Sequence, residues 1–326
     1  MKAIVYHRYG SPDVLKLEEV QKPTPADNQL LIKVYAVSIN RSDWEGLTGK
    51  PLYARIGGLI KPNNKILGSD IAGTVEAVGK DVKQFKPGDE VFGLMLNYGG
   101  GFAEYACKSE RALALKPAGL TFEEAAAIPQ AAFIALQGIR EKGQVQPGQK
   151  VLINGAGGGA GTFAIQLAKL AGAEVTGVDN AEKLELMQSL GADHVIDYTK
   201  EDFTKNGQQY DLILDVIAHR SVFAYQRALA PNGTYFFVGG SVAILFQILF
   251  LSPLIRRITG KNIKLLAVQT DPKDLVYITE LIESGKVLLV IDKRYSLSQA
   301  AEALRYLGEG HAKGKIVITV EPDNKG

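Results

Sequence analysis

Seven consecutive residues, Gly155 to Gly161, are all glycine or alanine. The β-branched run KVLIN precedes them and the helix-like run TFAIQLAK follows. A chain gives up side chains in that context where its backbone must come close to something. Ala156, Gly158 and Gly161 fit the spacing A-x-G-x-x-G. The first small residue permits a tight turn, the second lets backbone approach a pyrophosphate, and the third lets the helix pack on its strand. Gly159 and Ala160 open that helix, where free N–H groups and the positive end of the helix dipole favour a diphosphate. An acid, Asp179, closes the next β-rich run, EVTGVD. A carboxylate there accepts bonds from the adenosine ribose hydroxyls and repels a 2′-phosphate, by about 4 kcal/mol per charge pair at ~4 Å and an effective dielectric of ~20. The pattern leans to NADH. NADPH stays open, because Asn180 and Lys183 soften the repulsion if Asp179 turns away, and because Asp179 can equally cap a helix over 181–190.

The surrounding elements must hold this turn in place. From Gln149 the chain alternates: strand KVLIN, helix 160–171, strand EVTGV, helix 181–190, strand HVIDY, strand DLILDVI, helix 220–229, strand GTYFFVG. Such alternation predicts a doubly wound parallel sheet with helices on both faces, an α/β class. Val216 and Gly239, ending two of the later strands, are expected to line the nicotinamide crevice. Tyr198 is expected against the adenine, although an aromatic at a strand end is usually core edge. Residues 1 to about 120 are strand-rich, with turns such as Pro87-Gly88. Thr121 with Glu124 predicts a helix start in an Ala-rich run that carries Pro129 inside it. Two further helices and the strand GKIVITV follow residue 267.

Length and composition exclude several classes. At 326 residues, two domains are the prior expectation. With 46% apolar and 22% charged residues, the composition is that of a soluble globular protein, expected in the cytoplasm. A net charge of +2 implies no nucleic-acid partner. Cys107, the one cysteine, excludes a disulfide framework, and His7, His194, His219 and His311 lack metal-ligand spacing.

The runs LGSDIAGTVEAVGKDVKQFKPGDEVFG, AAAIPQAAFIALQGI, GAGGGAGTFAIQLAKLAGAEVTGV, SLGADHVIDY and HAKGKIVITV together resemble the medium-chain dehydrogenase/reductase superfamily over nearly the whole chain. The resemblance implies a GroES-like β-rich domain over 1–122, a Rossmann domain over 123–267, and a C-terminal return to the first domain over 268–326. The zinc alcohol dehydrogenases of that superfamily need a Cys, a His and a second Cys at places that look like Asn40, Ser69 and Gln130 here. No metal is therefore expected, and the chain is similar to the zinc-independent quinone oxidoreductases and their enone-reducing relatives. Their Asn-x-x-Asp motif matches Asn40 and Asp43, and a pocket tyrosine matches Tyr53.

The resemblance implies hydride transfer from NAD(P)H to a quinone, with 2-alkenals or enones as the alternative acceptor. Asn40 would position cofactor or substrate through its amide, and Tyr53 would donate to the acceptor oxygen. Asp43 would orient the loop. Against these stand plainer roles: a turn residue for Asn40 and a helix cap for Asp43. Some relatives are structural or nucleic-acid-binding proteins, a competing class that the near-neutral charge disfavours. A homodimer is expected.

Residues 241–270 stand apart, with no acid, four cations (Arg256, Arg257, Lys261, Lys264) and an apolar run from Val242 to Leu251. That run is too short to span a bilayer. It reads either as a lid that also packs in a dimer interface, or as a peripheral membrane anchor over 241–264.

Overall fold

The computed structural model describes residues 1–56, 58–95 and 100–320. The chain divides into two compact units, one of residues 1–130, 270–284 and 291–326, the other of 131–269 and 285–290. The divisions differ from those expected by two residues at 269 and by more in two other places, each for a visible reason. The helix Phe122–Ala126 stays with the first unit, where Phe122 stacks on Tyr35 and the Glu123 carboxylate takes bonds from Arg294 and Thr319. Residues 285–290 join the second because the Gln166 amide binds both the N–H and the C=O of Leu288.

In the second unit, β1 (Lys150–Asn154), β2 (Glu174–Asp179), β3 (His194–Asp197), β4 (Tyr210–Asp215), β5 (Leu229–Phe237) and β6 (Asn262–Leu265) form one sheet. Every pairing is parallel and the order is β3-β2-β1-β4-β5-β6. The order reverses between β1 and β4, where a doubly wound sheet opens its crevice beyond the strand ends. Helices α1 (Gly159–Leu170), α2 (Leu184–Ser189), α3 (Val222–Ala228) and α4 (Val242–Thr259) make the crossovers. β1 and β4 are apolar and buried almost throughout, as strands covered on both faces must be.

The first unit is built on a seven-stranded, mainly antiparallel sheet. Strand Gln29–Ile39 runs through its centre, pairing with Asp70–Val78, Tyr105–Ser109 and Lys315–Thr319. The last of these pairings ties the chain's end to its beginning. The core gathers Ile32, Val34, Val37, Ile71, Val91, Ile316 and Ile318. A helix, Arg41–Thr48, leaves the end of the central strand and turns at Gly49 in the left-handed region, φ +61°.

Two local expectations are corrected. Pro129 does not lie inside a helix; it begins one, Pro129–Leu136, because its missing N–H would break a ladder started earlier. The run from Val242 is not short: it extends to Thr259 as one helix of 18 residues, mean hydropathy 1.6, long and apolar enough to cross a membrane. Its placement argues against crossing, since Ile244, Ile248 and Ile255 pack in the core of the parallel sheet and the helix links β5 to β6.

Candidate active site

The glycine turn joins β1 to α1, and its members have separate duties. Gly155 takes φ +85°, which a side chain would strain. A Cβ on Gly161 would lie 2.3 Å from the Gly155 carbonyl oxygen, so this glycine is required by packing. Ala156, Ala160 and Gly161 are buried, whereas Gly158 and Gly159 are partly exposed. Around Gly158 a Cβ would meet only the Gly155 oxygen, at 3.4 Å. Among the described residues nothing demands glycine there. Gly159, Ala160 and Gly161 begin α1, where helical N–H groups have no intrahelical acceptors.

The other residues expected around the cofactor lie at the same edge of the sheet. Asp179 ends β2, Tyr198 follows β3 with its N–H bonded to the Asp179 carbonyl, and Val216 follows β4 beside Gly155. Gly239 follows β5, its carbonyl accepting from the Ala218 N–H. Tyr198 is 46% exposed, leaving a ring face open. Asp179 is buried and already engaged: Oδ1 lies 3.2 Å from the Lys183 ammonium, and Oδ2 accepts from the Gly157 N–H at 3.0 Å. It does not cap the following helix. Asn180 does so, accepting from the Glu182 N–H, and residues 181–183 form a 3-10 turn before α2. Lys183 thus stands over the glycine turn as well: a Cβ on Gly157 would touch its side chain at 2.6 Å.

The sequence did not single out Asn154 and Asp215, which lie side by side beneath this edge. The Asn154 amide donates to Asp215 at 2.7 Å and to the Ile217 carbonyl at 3.2 Å, while Asp215 accepts the Ile217 N–H. The segment after β4 is therefore held at both backbone groups of one residue. Burial raises the Asp215 carboxyl above the ordinary range, opposed by bonds from Tyr225, Asn154 and Tyr235.

In the first unit, Asn40, Asp43, Ser69, Asp70 and Lys315 form one buried network. The Asn40 amide donates to Ser69 Oγ at 2.8 Å and to Asp70 Oδ2 at 2.7 Å, and its oxygen accepts from the Lys315 ammonium at 2.5 Å. Both amide hydrogens are spent inward. These bonds engage the amide that the sequence assigns to cofactor or substrate. Asp43 accepts from Ser69 Oγ, the Asn40 N–H and the Gly68 N–H, so it orients the loop and the start of the helix Arg41–Thr48. Burial raises its carboxyl to about 6, against those bonds; the nearby Asp70 charge adds to the rise. Gln130 joins by its N–H to Asp70 and by its side chain, which accepts from Ser42. Lys315 is 2% exposed and lies 3.3 Å from Asp70. Burial lowers its pKa while Asp70 works in the other direction. The available signal was a lysine opening the strand KIVIT, whose next three residues are apolar and buried.

Tyr53 sits in a 3-10 turn, Leu52–Arg55, and its phenol bonds the Glu45 carboxylate. Arg55 pins the turn, donating to the Gly49 carbonyl at 3.0 Å with its guanidinium over the Tyr9 ring. Glu45 is 9% exposed, and burial raises its carboxyl to about 7; Arg41 and Tyr53 pull it down.

A glycine turn at the switch point of a 3-2-1-4-5-6 sheet, in a chain that also folds a β-domain of this topology, defines a dinucleotide-binding oxidoreductase. Residues 26–118 match the alcohol dehydrogenase GroES-like domain and residues 190–318 match the zinc-binding dehydrogenase family. A 2-methylene-furan-3-one reductase of Solanum lycopersicum is 37% identical over 98% of this chain and 79% of its own length. An NADPH-dependent alkenal/one oxidoreductase of Arabidopsis thaliana, chloroplastic, is 34% identical over the same shares. The solved quinone oxidoreductase of Coxiella burnetii superposes with a TM-score of 0.87 at 30% identity, covering 98% of this chain and 99% of that one. The chain belongs to the medium-chain dehydrogenase/reductase superfamily, among its quinone oxidoreductase-like members.

Zinc does not fit this chain's residues. The three places hold an amide, a hydroxyl and a second amide, and the Lys315 ammonium already lies against Asn40. A divalent ion beside that ammonium would meet repulsion and no thiolate or imidazole. Among the described residues no group of three His, Cys, Asp or Glu could hold a metal.

Proposed function

We propose that the protein is a zinc-independent NAD(P)H-dependent oxidoreductase that transfers a hydride to a quinone, with the conjugated double bond of a 2-alkenal or enone as the alternative acceptor. The observation that carries this reading is that Asn40, Ser69 and Gln130, which stand at the expected zinc-ligand places, are tied into a network with Asp70 and Lys315. Without a Lewis acid, the acceptor must spread the arriving charge itself. A quinone or an enone does so onto a conjugated oxygen, which a single phenol donor can stabilise.

Bound NAD(P)H supplies the hydride. Gly158 and Gly159 let the backbone meet the pyrophosphate, Tyr198 offers a ring face to the adenine, and Val216 with Gly239 borders the nicotinamide. Tyr53 donates to the acceptor oxygen, and Asn40 with Asp43 holds the local backbone. The leaning to NADH rests on the Asp179 carboxylate, and the Lys183 pair narrows that leaning by offsetting its charge. A homodimer is supported by the open edge that β6 leaves on the parallel sheet. The reading keeps the cytoplasm as the compartment, with residues 241–264 as a peripheral contact with a membrane.

The test is NADH and NADPH oxidation by purified protein with a panel of quinones and a panel of enones. Turnover with either panel supports the reading and ranks the acceptors. Cofactor binding without turnover on both panels would leave the structural-protein class.

A further inference from the structure

We propose that the outward face of α4 docks on a membrane surface that carries anionic lipid, with the helix lying in the plane of the bilayer. The helix carries two stripes of identical spacing. Ile244, Ile248, Leu251 and Ile255 pack against the core of the parallel sheet. Phe246, Phe250, Pro253 and Arg257 repeat the same steps two residues later, which is about 200° around a helix and so the opposite side. Phe250 is 75% exposed and Ile258 71%, and Phe246, Leu249 and Leu254 are each exposed by more than half. Phe246 and Phe250 stack on one another, not on the core. An apolar face this continuous on the outside of a folded domain marks a contact surface.

Charge selects the occupant. Residues 241–270 contain no acid. Arg257 lies on the outward stripe, Arg256 and Lys264 are also exposed, and among the described residues none of these three makes an ion pair. Lys261 is withdrawn from the set, because its ammonium donates to the Gln226 carbonyl on α3. A second copy presenting the same segment would bring cations with no counter-charge. A lipid surface with anionic headgroups offers hydrocarbon for the phenylalanines and phosphate for the arginines together. The inward stripe keeps the helix attached to the sheet, so the contact is peripheral and leaves the fold intact. The proposal is independent of the acceptor the protein reduces.

The test is flotation of the full chain with vesicles of phosphatidylcholine, with and without phosphatidylglycerol, at low and high salt. Binding only to the anionic vesicles, weakened by salt, is expected. Arg256→Glu with Arg257→Glu should lower vesicle partitioning by about tenfold or more. Phe246→Ser with Phe250→Ser should do the same with an unchanged thermal midpoint, since both side chains are exposed. Absence of wild-type flotation at low salt overturns the proposal. A change in oligomeric state on Phe246→Ser with Phe250→Ser, read by light scattering, also overturns it, by making the stripe a subunit interface.

Discussion

Lys315 reaches Asn40 across 275 positions of sequence and places its ammonium 2.5 Å from the amide oxygen, with its side chain buried. The pair explains how a site shaped for a metal in some relatives stays polar and ordered without one. A buried ammonium is tolerated only while its partners remain, and Asp70 supplies the opposite charge.

Lys315→Met should therefore destabilise the protein by about 3–5 kcal/mol, the cost of leaving the Asp70 carboxylate buried and unpaired. Urea unfolding of Lys315→Met and of Lys315→Met with Asp70→Asn checks this. The double variant should recover much of the loss. Equal stability of single variant and wild type would show the pair to be idle.

Gly158→Val should abolish most cofactor affinity, by at least tenfold or about 1.4 kcal/mol, without lowering the melting temperature of the free protein. The room around its Cβ predicts that separation. Gly161→Val should behave oppositely, lowering the melting temperature itself, because its Cβ meets backbone at 2.3 Å. Thermal melts with and without NADPH read both outcomes.

The two units were unequally legible in the sequence. The parallel sheet and its turn rest on local signals: alternating periodicity, a glycine run, an acid at a strand end. α1 and strands β1 to β4 follow from them, whereas β6 and the first residues of β5 carry no such signal. The alternative reading of Asp179 as a helix cap does not hold, because the neighbouring Asn180 side chain reaches the Glu182 N–H. The buried network left little trace, since Asn40, Asp70 and Lys315 meet only when the chain's last strand pairs with Gln29–Ile39. The Asn40 amide could be placed by motif, but not the direction its hydrogens face. The outward stripe of α4 was visible as excess apolar residues, while its length required the helix to be seen.

Lys183→Met should sharpen preference for NADH over NADPH, because it leaves the Asp179 charge unopposed where a 2′-phosphate would stand. Asp179→Ser should shift preference toward NADPH. Fluorescence titration of both cofactors measures the ratio without turnover. A wild type that strongly prefers NADPH would remove Asp179 from the specificity argument.

The last prediction joins Glu45 to pH. Its folded-state carboxyl titrates at about 7 and that of Asp43 at about 6, both above their ordinary values, with burial the main cause. For raised carboxyls the sign is the reverse of the usual one. The folded state holds more protons than the unfolded state between about pH 4 and 7, so these groups make stability fall as pH rises through that window. Below it both states are protonated and the penalty is absent; above it the penalty is complete. Glu45→Gln should flatten the slope and stabilise the protein at pH 8 by up to roughly 3 kcal/mol, less whatever its bond to Tyr53 was contributing. Activity should follow the same group. On the proposed role of Tyr53, protonating Glu45 below about pH 7 should release the phenol O–H for the acceptor, whereas the carboxylate above it should hold that hydrogen inward. The kcat of the wild type should decline above pH 7 with a one-proton limb, and Glu45→Gln should remove the limb. Tyr53→Phe should lower kcat at every pH with little change in cofactor affinity. A pH profile identical in wild type and Glu45→Gln would detach Glu45 from the reaction and leave its burial a matter of folding alone.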